Sequence, residues 1–277
     1  MENEVGRDIK TVVVEEEVKP LPRDPRLLLT NDDGIQSPGI RLLAERLNPI
    51  YEVVVAAPAR DMSGSGTGIG RFDAREGIDL TKAGWDGVEA YTIEGPPGLA
   101  VMAGALGAFG TKPDLVVSGI NAGVNTGHSV LHSGTVGAVL TARTFGSHGL
   151  AISLSFSDPW QWATAAEVAV ALAAWTLAQE QERIVINANV PGLAIDEIRG
   201  FKWAKLDEFG VFRVATANYQ SGRLQFEVRG SNAEAEPSSD TALVGEGFVT
   251  LTPLTTVEPA PFPSLPAQDI FTALTAR

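Results

Sequence analysis

Short apolar runs alternate with longer amphipathic segments along most of the chain. The apolar runs have the length of strands and contain few polar positions, which is typical of parallel strands that are buried on both faces. They cover residues 26–30, 52–57, 114–118, 150–154 and 184–188. Helical patterns lie between them at residues 38–47, 97–109, 134–145 and 160–182. This succession predicts an α/β fold in which helices cover both faces of a parallel sheet.

Other stretches depart from this alternation. Residues 1–25 mix charges with two prolines and predict a flexible extension, in which residues 11–14 could form an edge strand. A loop rich in Gly and Ser follows residue 63 and leads into irregular hairpins up to residue 92. The region 205–250 predicts a hairpin extension, with antiparallel strands at 212–229 and 247–251 around a mobile polar loop at 231–240. We therefore expect one domain at residues 26–254 and a tail at 255–277.

Charge and hydropathy narrow the classes of partner. The 21 basic and 34 acidic residues give a formal net charge of −13. Nucleic-acid polymers and anionic membrane surfaces are bound by clustered Lys and Arg, so both are disfavoured as partners. The apolar stretches are too short or too interrupted to span a membrane, and the first residues lack the apolar region of a signal peptide. We expect a cytoplasmic protein.

The rarity of soft ligands restricts the metal chemistry. The chain has no cysteine, which excludes disulfides, thiolate nucleophiles and iron–sulfur clusters, and its three histidines are too few for a histidine-rich zinc site. A bound metal would therefore be held mainly by oxygen atoms. Oxygen ligands favour hard cations such as Mg²⁺, Mn²⁺ or Ca²⁺.

Polar loops follow three of the predicted strands. They carry Asp32 and Asp33, then Ser63, then Asn121. In an open parallel sheet, ligands bind beyond the carboxyl ends of the strands, so these loops are expected to meet. Adjacent carboxylates repel each other, and a cation between them is a natural neutraliser. The alternative is that the sequence Asn-Asp-Asp-Gly at 31–34 forms only a turn.

A further candidate site precedes the helix predicted at 134–145. Ser133, Gly134 and Thr135 would place small side chains and free backbone amides at its N-terminus, which is a favourable place for a phosphate. Ser133 or Thr135 could instead serve only as a helix cap, and the sequence does not separate the two roles. No Gly-Lys pair of a P-loop and no Gly-x-Ser-x-Gly motif is present.

Several of these motifs together resemble one known family. The sequence LLLTNDDGI at 27–35, followed by SPGI at 37–40, is similar to the opening of the SurE family of 5′/3′-nucleotidases. SGINAGVN at 118–125 and SGTV at 133–136 resemble its second signature, and the likeness covers about residues 26–254. It implies a Rossmann-like three-layer α/β core with a C-terminal β-hairpin that mediates dimerisation. It also implies metal-dependent hydrolysis of nucleoside 5′- or 3′-monophosphates.

The resemblance also implies roles for single residues. The metal ligands of the family fall on Asp32, Asp33, Ser63 and Asn121, which would hold one Mg²⁺ or Mn²⁺ per subunit. The residues around the substrate phosphate fall on Asn125, Ser133, Gly134 and Thr135. Asp32 or Asp33 would orient or deprotonate the attacking water, although a covalent aspartyl intermediate stays open. The expected assembly is a homodimer or a dimer of dimers.

Two segments differ from the family pattern and leave alternatives open. The sequence is Gly-Pro-Pro-Gly-Leu at 95–99, and His128, Ser129 and His132 replace residues that are usual in the family. A phosphatase that acts on a non-nucleotide metabolite is therefore one alternative. The other is a non-catalytic nucleotide-binding module, which the intact Asp32, Asp33, Ser63 and Asn121 disfavour.

Overall fold

The computed structural model of this 277-residue chain describes residues 24–71, 75–179, 183–208, 214–229 and 235–257. The N-terminal extension predicted at 1–25, with its edge strand at 11–14, lies almost entirely outside the described residues. The same holds for most of the C-terminal tail predicted at 255–277. Within the described ranges, no helix is both long enough and apolar enough to cross a bilayer.

The strands of the described chain form one large mixed sheet and one hairpin. Their bounds are β1 Arg26–Thr30, β2 Glu52–Pro58, β3 Leu80–Lys82, β4 Glu89–Ile93, β5 Leu115–Ala122, β6 His148–Leu154, β7 Val185–Val190, β8 Phe201–Trp203, β9 Val214–Gln220, β10 Arg223–Arg229 and β11 Val249–Leu254. The large sheet has the order β3-β4-β2-β1-β5-β6-β7-β11-β8. Its centre, from β4 to β7, is parallel as predicted. The edge strand β3 runs antiparallel to β4, and β11, which lies between β7 and the edge strand β8, runs antiparallel to β7.

Helices cover both faces of this sheet. They are α1 Pro38–Leu47, α2 Pro97–Ala105, α3 Gly134–Thr144, α4 Trp162–Leu177 and α5 Asp240–Gly245. Successive residues of a strand point to opposite faces. Leu27 and Leu29 of β1 accordingly pack with residues of α1 and α4, whereas Leu28 packs with residues of α2 and α3. The two apolar clusters therefore lie on opposite sides of the sheet, which confirms the three-layer α/β fold.

Element boundaries differ from the sequence prediction in several places. The helix predicted at 97–109 ends at Ala105, and Gly107 follows with a φ of 94°. The helix predicted at 160–182 spans only Trp162–Leu177. The region 119–133 was predicted as a loop, but β5 continues to Ala122 and residues Gly127–His132 form a 3₁₀ helix. Glycines and asparagines concealed this strand, because both are unfavourable in isolated strands.

The C-terminal part contains the predicted hairpin and elements that were not predicted. β9 and β10 pair antiparallel around Ser221 and Gly222, whose φ values of 52° and 77° are those of a type I′ turn. The short helix α5 begins at Asp240, where only a polar loop was predicted. The strand predicted at 247–251 is β11, which pairs antiparallel with β7 but parallel with β8.

Candidate active site

Three loops meet at one edge of the sheet because β1 lies between β2 and β5. All three strands run parallel, so the loops that follow them open at the same carboxyl edge. Hydrogen bonds tie the first two loops together: the Ile35 amide donates to the Pro58 carbonyl (2.9 Å), and the Met62 amide donates to the Asp32 carbonyl (2.7 Å). The sheet therefore brings the predicted polar segments to one place.

The turn after β1 fixes the two adjacent aspartates. Asn31 is fully buried, and its side chain donates to the Gly34 carbonyl (3.0 Å) and accepts from the Gly34 amide (3.2 Å). Gly34 has a φ of 94°, and a Cβ there would lie 3.2 Å from the Arg60 carbonyl carbon, so only glycine fits without strain. Residues 31–34 thus form a turn, as the alternative from the sequence predicted. This turn positions Asp32 and Asp33 at the end of the strand.

Asp33 occupies an environment that disfavours its charge. Burial, which has the largest effect, and the neighbouring charges of Asp32 and Asp61 together raise the pKa of this carboxyl to about 7, although a hydrogen bond from the Ala122 amide opposes them. Its Oδ2 atom is buried and has no hydrogen-bond partner among the described residues. A cation at this position would satisfy that oxygen and relieve the repulsion between the carboxylates.

The N-terminus of α3 touches Asp32 directly. The Thr135 hydroxyl donates to Asp32 Oδ1, and a Cβ on Gly134 would lie only 2.7 Å from the Cβ of Asp32. Ser133 caps the helix, because its Oγ accepts the Val136 amide (3.1 Å). Ser133 therefore does act as the helix cap. The amides of Gly134 and Thr135 have no acceptor within the helix, and they lie at the helix end that contacts the Asp32 carboxylate.

The end of β5 and the loop that follows it contribute two asparagines. Asn121 Nδ2 donates to the Gly123 carbonyl (2.7 Å), and Asn121 Oδ1 lies 3.5 Å from the Thr135 hydroxyl. Asn125 Nδ2 donates to Ser153 Oγ on the neighbouring strand β6 (2.8 Å). Both side chains therefore have defined orientations at the same edge as Asp32.

Ser63 lies in the loop after β2, but its hydrogen-bond partner is Asp61, which is not one of the predicted metal ligands. Its amide and hydroxyl both donate to Asp61 Oδ1, at 2.7 and 2.6 Å. These hydrogen bonds lower the pKa of Asp61. Ser63 is exposed, and the adjacent Met62 is bonded to Asp32. The structure thus places Ser63 in the loop that is bonded to Asp32 through Met62, with the hydrogen bonds of Ser63 itself made to Asp61.

Several residues that support this edge were not predicted from the sequence. Asn187 and Asn189 of β7 both donate to the Asn125 carbonyl, at 2.8 and 3.0 Å, and Asn189 Oδ1 accepts the Asn125 amide. Their signal was two asparagines spaced by two in a buried strand, which places both on one face. Asp240, at the start of α5, accepts the Gly127 amide through both oxygens, at 3.2 and 3.0 Å. Its role depends on a long-range contact, which the local sequence does not show.

The donor set fits a hard divalent cation. Among the described residues there is no cluster of three His, Cys, Asp or Glu side chains that could hold a metal. An ion at this edge would therefore combine the carboxylates of Asp32 and Asp33 with neutral oxygens from Asn121 and Ser63. Few protein ligands, all of them oxygen, are typical of Mg²⁺ and Mn²⁺, which retain several water molecules.

Comparison with known proteins agrees with this geometry. The sequence profile of the family described as survival protein SurE matches residues 27–210. The chain belongs to the SurE family. The 5′-nucleotidase SurE of Chloroflexus aggregans is 36% identical over 234 residues, which cover 82% of this chain and 92% of that protein. The 5′/3′-nucleotidase SurE of Cronobacter sakazakii is 34% identical over 234 residues, covering 83% and 89%.

A solved structure of a SurE protein supports the same fold. The crystal structure of the SurE protein from Aquifex aeolicus superposes with a TM-score of 0.73 and is 29% identical. The match covers 91% of this chain and 99% of that one. The SurE fold of this chain is therefore supported by both sequence and structure.

Proposed function

We propose that this SurE protein hydrolyses nucleoside 5′- or 3′-monophosphates to a nucleoside and phosphate. The observation that carries the proposal is the contact of the α3 N-terminus with Asp32, which joins an anion-binding helix end to a carboxylate pair. Its two relatives named above are a 5′-nucleotidase and a 5′/3′-nucleotidase. One Mg²⁺ or Mn²⁺ per subunit, held by Asp32, Asp33, Asn121 and Ser63, is part of the proposal.

The helix end supplies the groups that bind the phosphate. The Gly134 and Thr135 amides, which have no intrahelical acceptor, can donate to phosphate oxygens with the helix dipole behind them. Ser133 accepts the Val136 amide through its oxygen, which leaves its hydroxyl hydrogen available to donate. Asn125 uses one amide hydrogen on Ser153 and keeps the other. Thr135 acts through its backbone, because its hydroxyl already donates to Asp32.

The carboxylates position the nucleophile. A bound divalent cation supplies positive charge for the phosphoryl oxygens and acidifies water at the site. Asp32, held by Thr135, is oriented to accept a hydrogen bond from the attacking water. The donors at the α3 N-terminus are preorganised, so they stabilise charge on the phosphoryl oxygens without rearrangement in the transition state.

The test is phosphate release from 5′-AMP and p-nitrophenyl phosphate, measured with Mn²⁺, with EDTA and in Asp32→Asn. We expect activity with Mn²⁺, loss with EDTA, recovery when Mn²⁺ is restored, and a fall of at least about a hundredfold in Asp32→Asn. Asp86→Asn makes the same change of charge on an exposed turn between β3 and β4, and should leave activity unchanged. Activity that survives both EDTA and Asp32→Asn would refute the metal site.

A further inference from the structure

Three aromatic rings lie on the segment from the end of β6 to the first residue of α4 and have no part in the phosphate site. They are Phe156, Trp160 and Trp162, which we call the aromatic platform. The rings of Trp160 and Trp162 stack with centroids 5.1 Å apart, and Phe156 meets Trp160 edge-on at 5.3 Å. Both arrangements are favourable for aromatic pairs, so the three rings support one another as a unit.

Two rings of the platform are half-buried and the third is exposed to solvent. Trp160 and Trp162 are half-buried and pack against the larger apolar core, whereas Phe156 is 73% exposed. An aromatic ring gains most of its stabilisation from burial, so Phe156 contributes little to folding in this position. The tryptophans therefore fix in place a ring that is free to contact a ligand.

The platform follows the end of β6, which is hydrogen-bonded to the loop after β5 that carries Asn125. In the register of β5 and β6, Asn121 pairs with Ser153, and the Gly123 amide donates to the carbonyl of Leu154, the last residue of β6 (2.9 Å). Phe156 follows two residues later, at the same carboxyl edge of the sheet. Two strand spacings, or roughly 10 Å, separate β6 from β1, at whose end Asp32 lies. A single nucleoside can bridge such a separation.

We propose that the aromatic platform binds the base of the substrate by stacking while the α3 N-terminus holds its phosphate. The inference rests on the proposed function and defines the substrate class further. Stacking on Phe156 requires only the flat face of a base, so different bases are accepted. A phosphate ester that lacks a base loses this contact. The platform therefore favours nucleoside monophosphates over sugar phosphates.

The test compares two substrates in Phe156→Ala. With 5′-AMP, we expect KM to rise about tenfold in the variant, because one base–ring stack is lost, with little change in kcat. With ribose 5-phosphate, kcat/KM should be unchanged. Phe156→Trp keeps a flat ring and should retain the KM for AMP. Leu106→Ala is the matched control, since Leu106 is 71% exposed at the C-terminal end of α2 and should affect neither substrate.

A binding measurement separates this inference from the proposed function. Adenosine carries the base without phosphate, and it should quench tryptophan emission in the wild type but bind about tenfold more weakly to Phe156→Ala. Equal losses on AMP and ribose 5-phosphate, or no change on AMP, would overturn the platform. If Phe156→Ala changed the oligomeric mass in solution but not the kinetics or adenosine binding, the ring would belong to a contact between chains. That result would also overturn the platform. A wild type that hydrolyses no ester would refute the proposed function, and adenosine binding would still decide the platform.

Discussion

At the scale of single residues, Thr135 joins the two parts of the candidate site. Its side chain is fully buried, its hydroxyl donates to Asp32 Oδ1, and the same hydroxyl lies 3.5 Å from Asn121 Oδ1. A hydrogen bond from outside the ligand set orients a carboxylate that would bind a metal. Thr135 thus couples Asp32, a ligand of the proposed metal site, to the helix end that would bind phosphate.

Thr135→Val removes this hydrogen bond while keeping the shape of the side chain. We expect kcat with 5′-AMP to fall about 10- to 100-fold and half-maximal activity to require more Mn²⁺, because Asp32 is no longer oriented. Thr135→Ser restores the hydroxyl and should recover most of the activity and the wild-type Mn²⁺ dependence. A valine variant whose Mn²⁺ titration matches the wild type would show that the hydroxyl has no role in the metal site.

Single residues also show how far the sequence alone could predict the site. Asp32, Asp33, Ser63 and Asn121 were predicted to meet, because parallel strands with polar loops open at one edge, whereas Thr135 was predicted separately as part of a helix N-terminus. The hydrogen bonds of Ser63 to Asp61 were not predicted, since a loop's internal contacts depend on its backbone conformation. Asn187 was also missed as a support of Asn125, because that contact requires the order of β6 and β7 in the sheet.

At the scale of elements, α3 packs unusually close to the loop that follows β2. A Cβ on Gly137 would lie 1.9 Å from the Gly66 carbonyl oxygen and 2.7 Å from the Thr67 amide nitrogen. The Gly66 amide in turn donates to the His132 carbonyl (3.2 Å), just before α3. Glycine at 137 therefore sets the position of the loop that carries Asp61 and Ser63 relative to the phosphate-binding helix end.

Gly137→Ala should separate this loop from the helix. We expect the free energy of unfolding to fall by about 1 to 3 kcal/mol, because the added methyl group overpacks the contact. Activity on 5′-AMP should fall as well, because the loop moves from the metal site. Denaturant unfolding and steady-state kinetics measure the two effects. Gly245→Ala is the control: no atom lies within 4 Å of its Cβ position, so both quantities should stay near wild type.

The elements that the sequence predicted best are those whose burial is uniform. All residues of β1 and β6 are buried, so each contains a short run of mainly apolar residues. β8 has only three residues, all of them exposed, and α5 has only six. Neither element is long enough to show a period of hydrophobic residues in the sequence. β5 was predicted too short, because its second half contains Gly119 and the site residue Asn121, which interrupt the apolar run. Functional positions thus obscured the local pattern.

At the scale of the whole molecule, the net charge of −13 opposes the binding of an anionic substrate. Long-range attraction therefore cannot concentrate a phosphate ester at this protein. The favourable field must be local, and the α3 N-terminus and a bound cation are the two sources that the site geometry supports. The same charge disfavours long nucleic acids, whose many phosphates would extend over acidic surface.

The β9–β10 hairpin presents one apolar face. Tyr219 and Leu224 are direct partners in the hairpin register, and Phe226 lies two residues beyond Leu224, so the three side chains share a face. They are 76%, 57% and 67% exposed. Asn218 pairs with Gln225 on the opposite face. A hairpin with one polar and one exposed apolar face is suited to bury the apolar face against another chain, so we propose that this face forms the dimer contact.

Replacing Tyr219, Leu224 and Phe226 together by serine should convert the proposed dimer into a monomer. The variant retains the turn at Ser221 and Gly222 and loses only the apolar face, so the hairpin can still form while the contact between chains loses its main source of stabilisation. Light scattering coupled to size exclusion should give twice the chain mass for the wild type and the single-chain mass for the variant. Asn218→Ser with Gln225→Ser alters the opposite face and should remain dimeric. A monomeric wild type, or a triple variant that keeps the doubled mass, would show that this face does not join the chains.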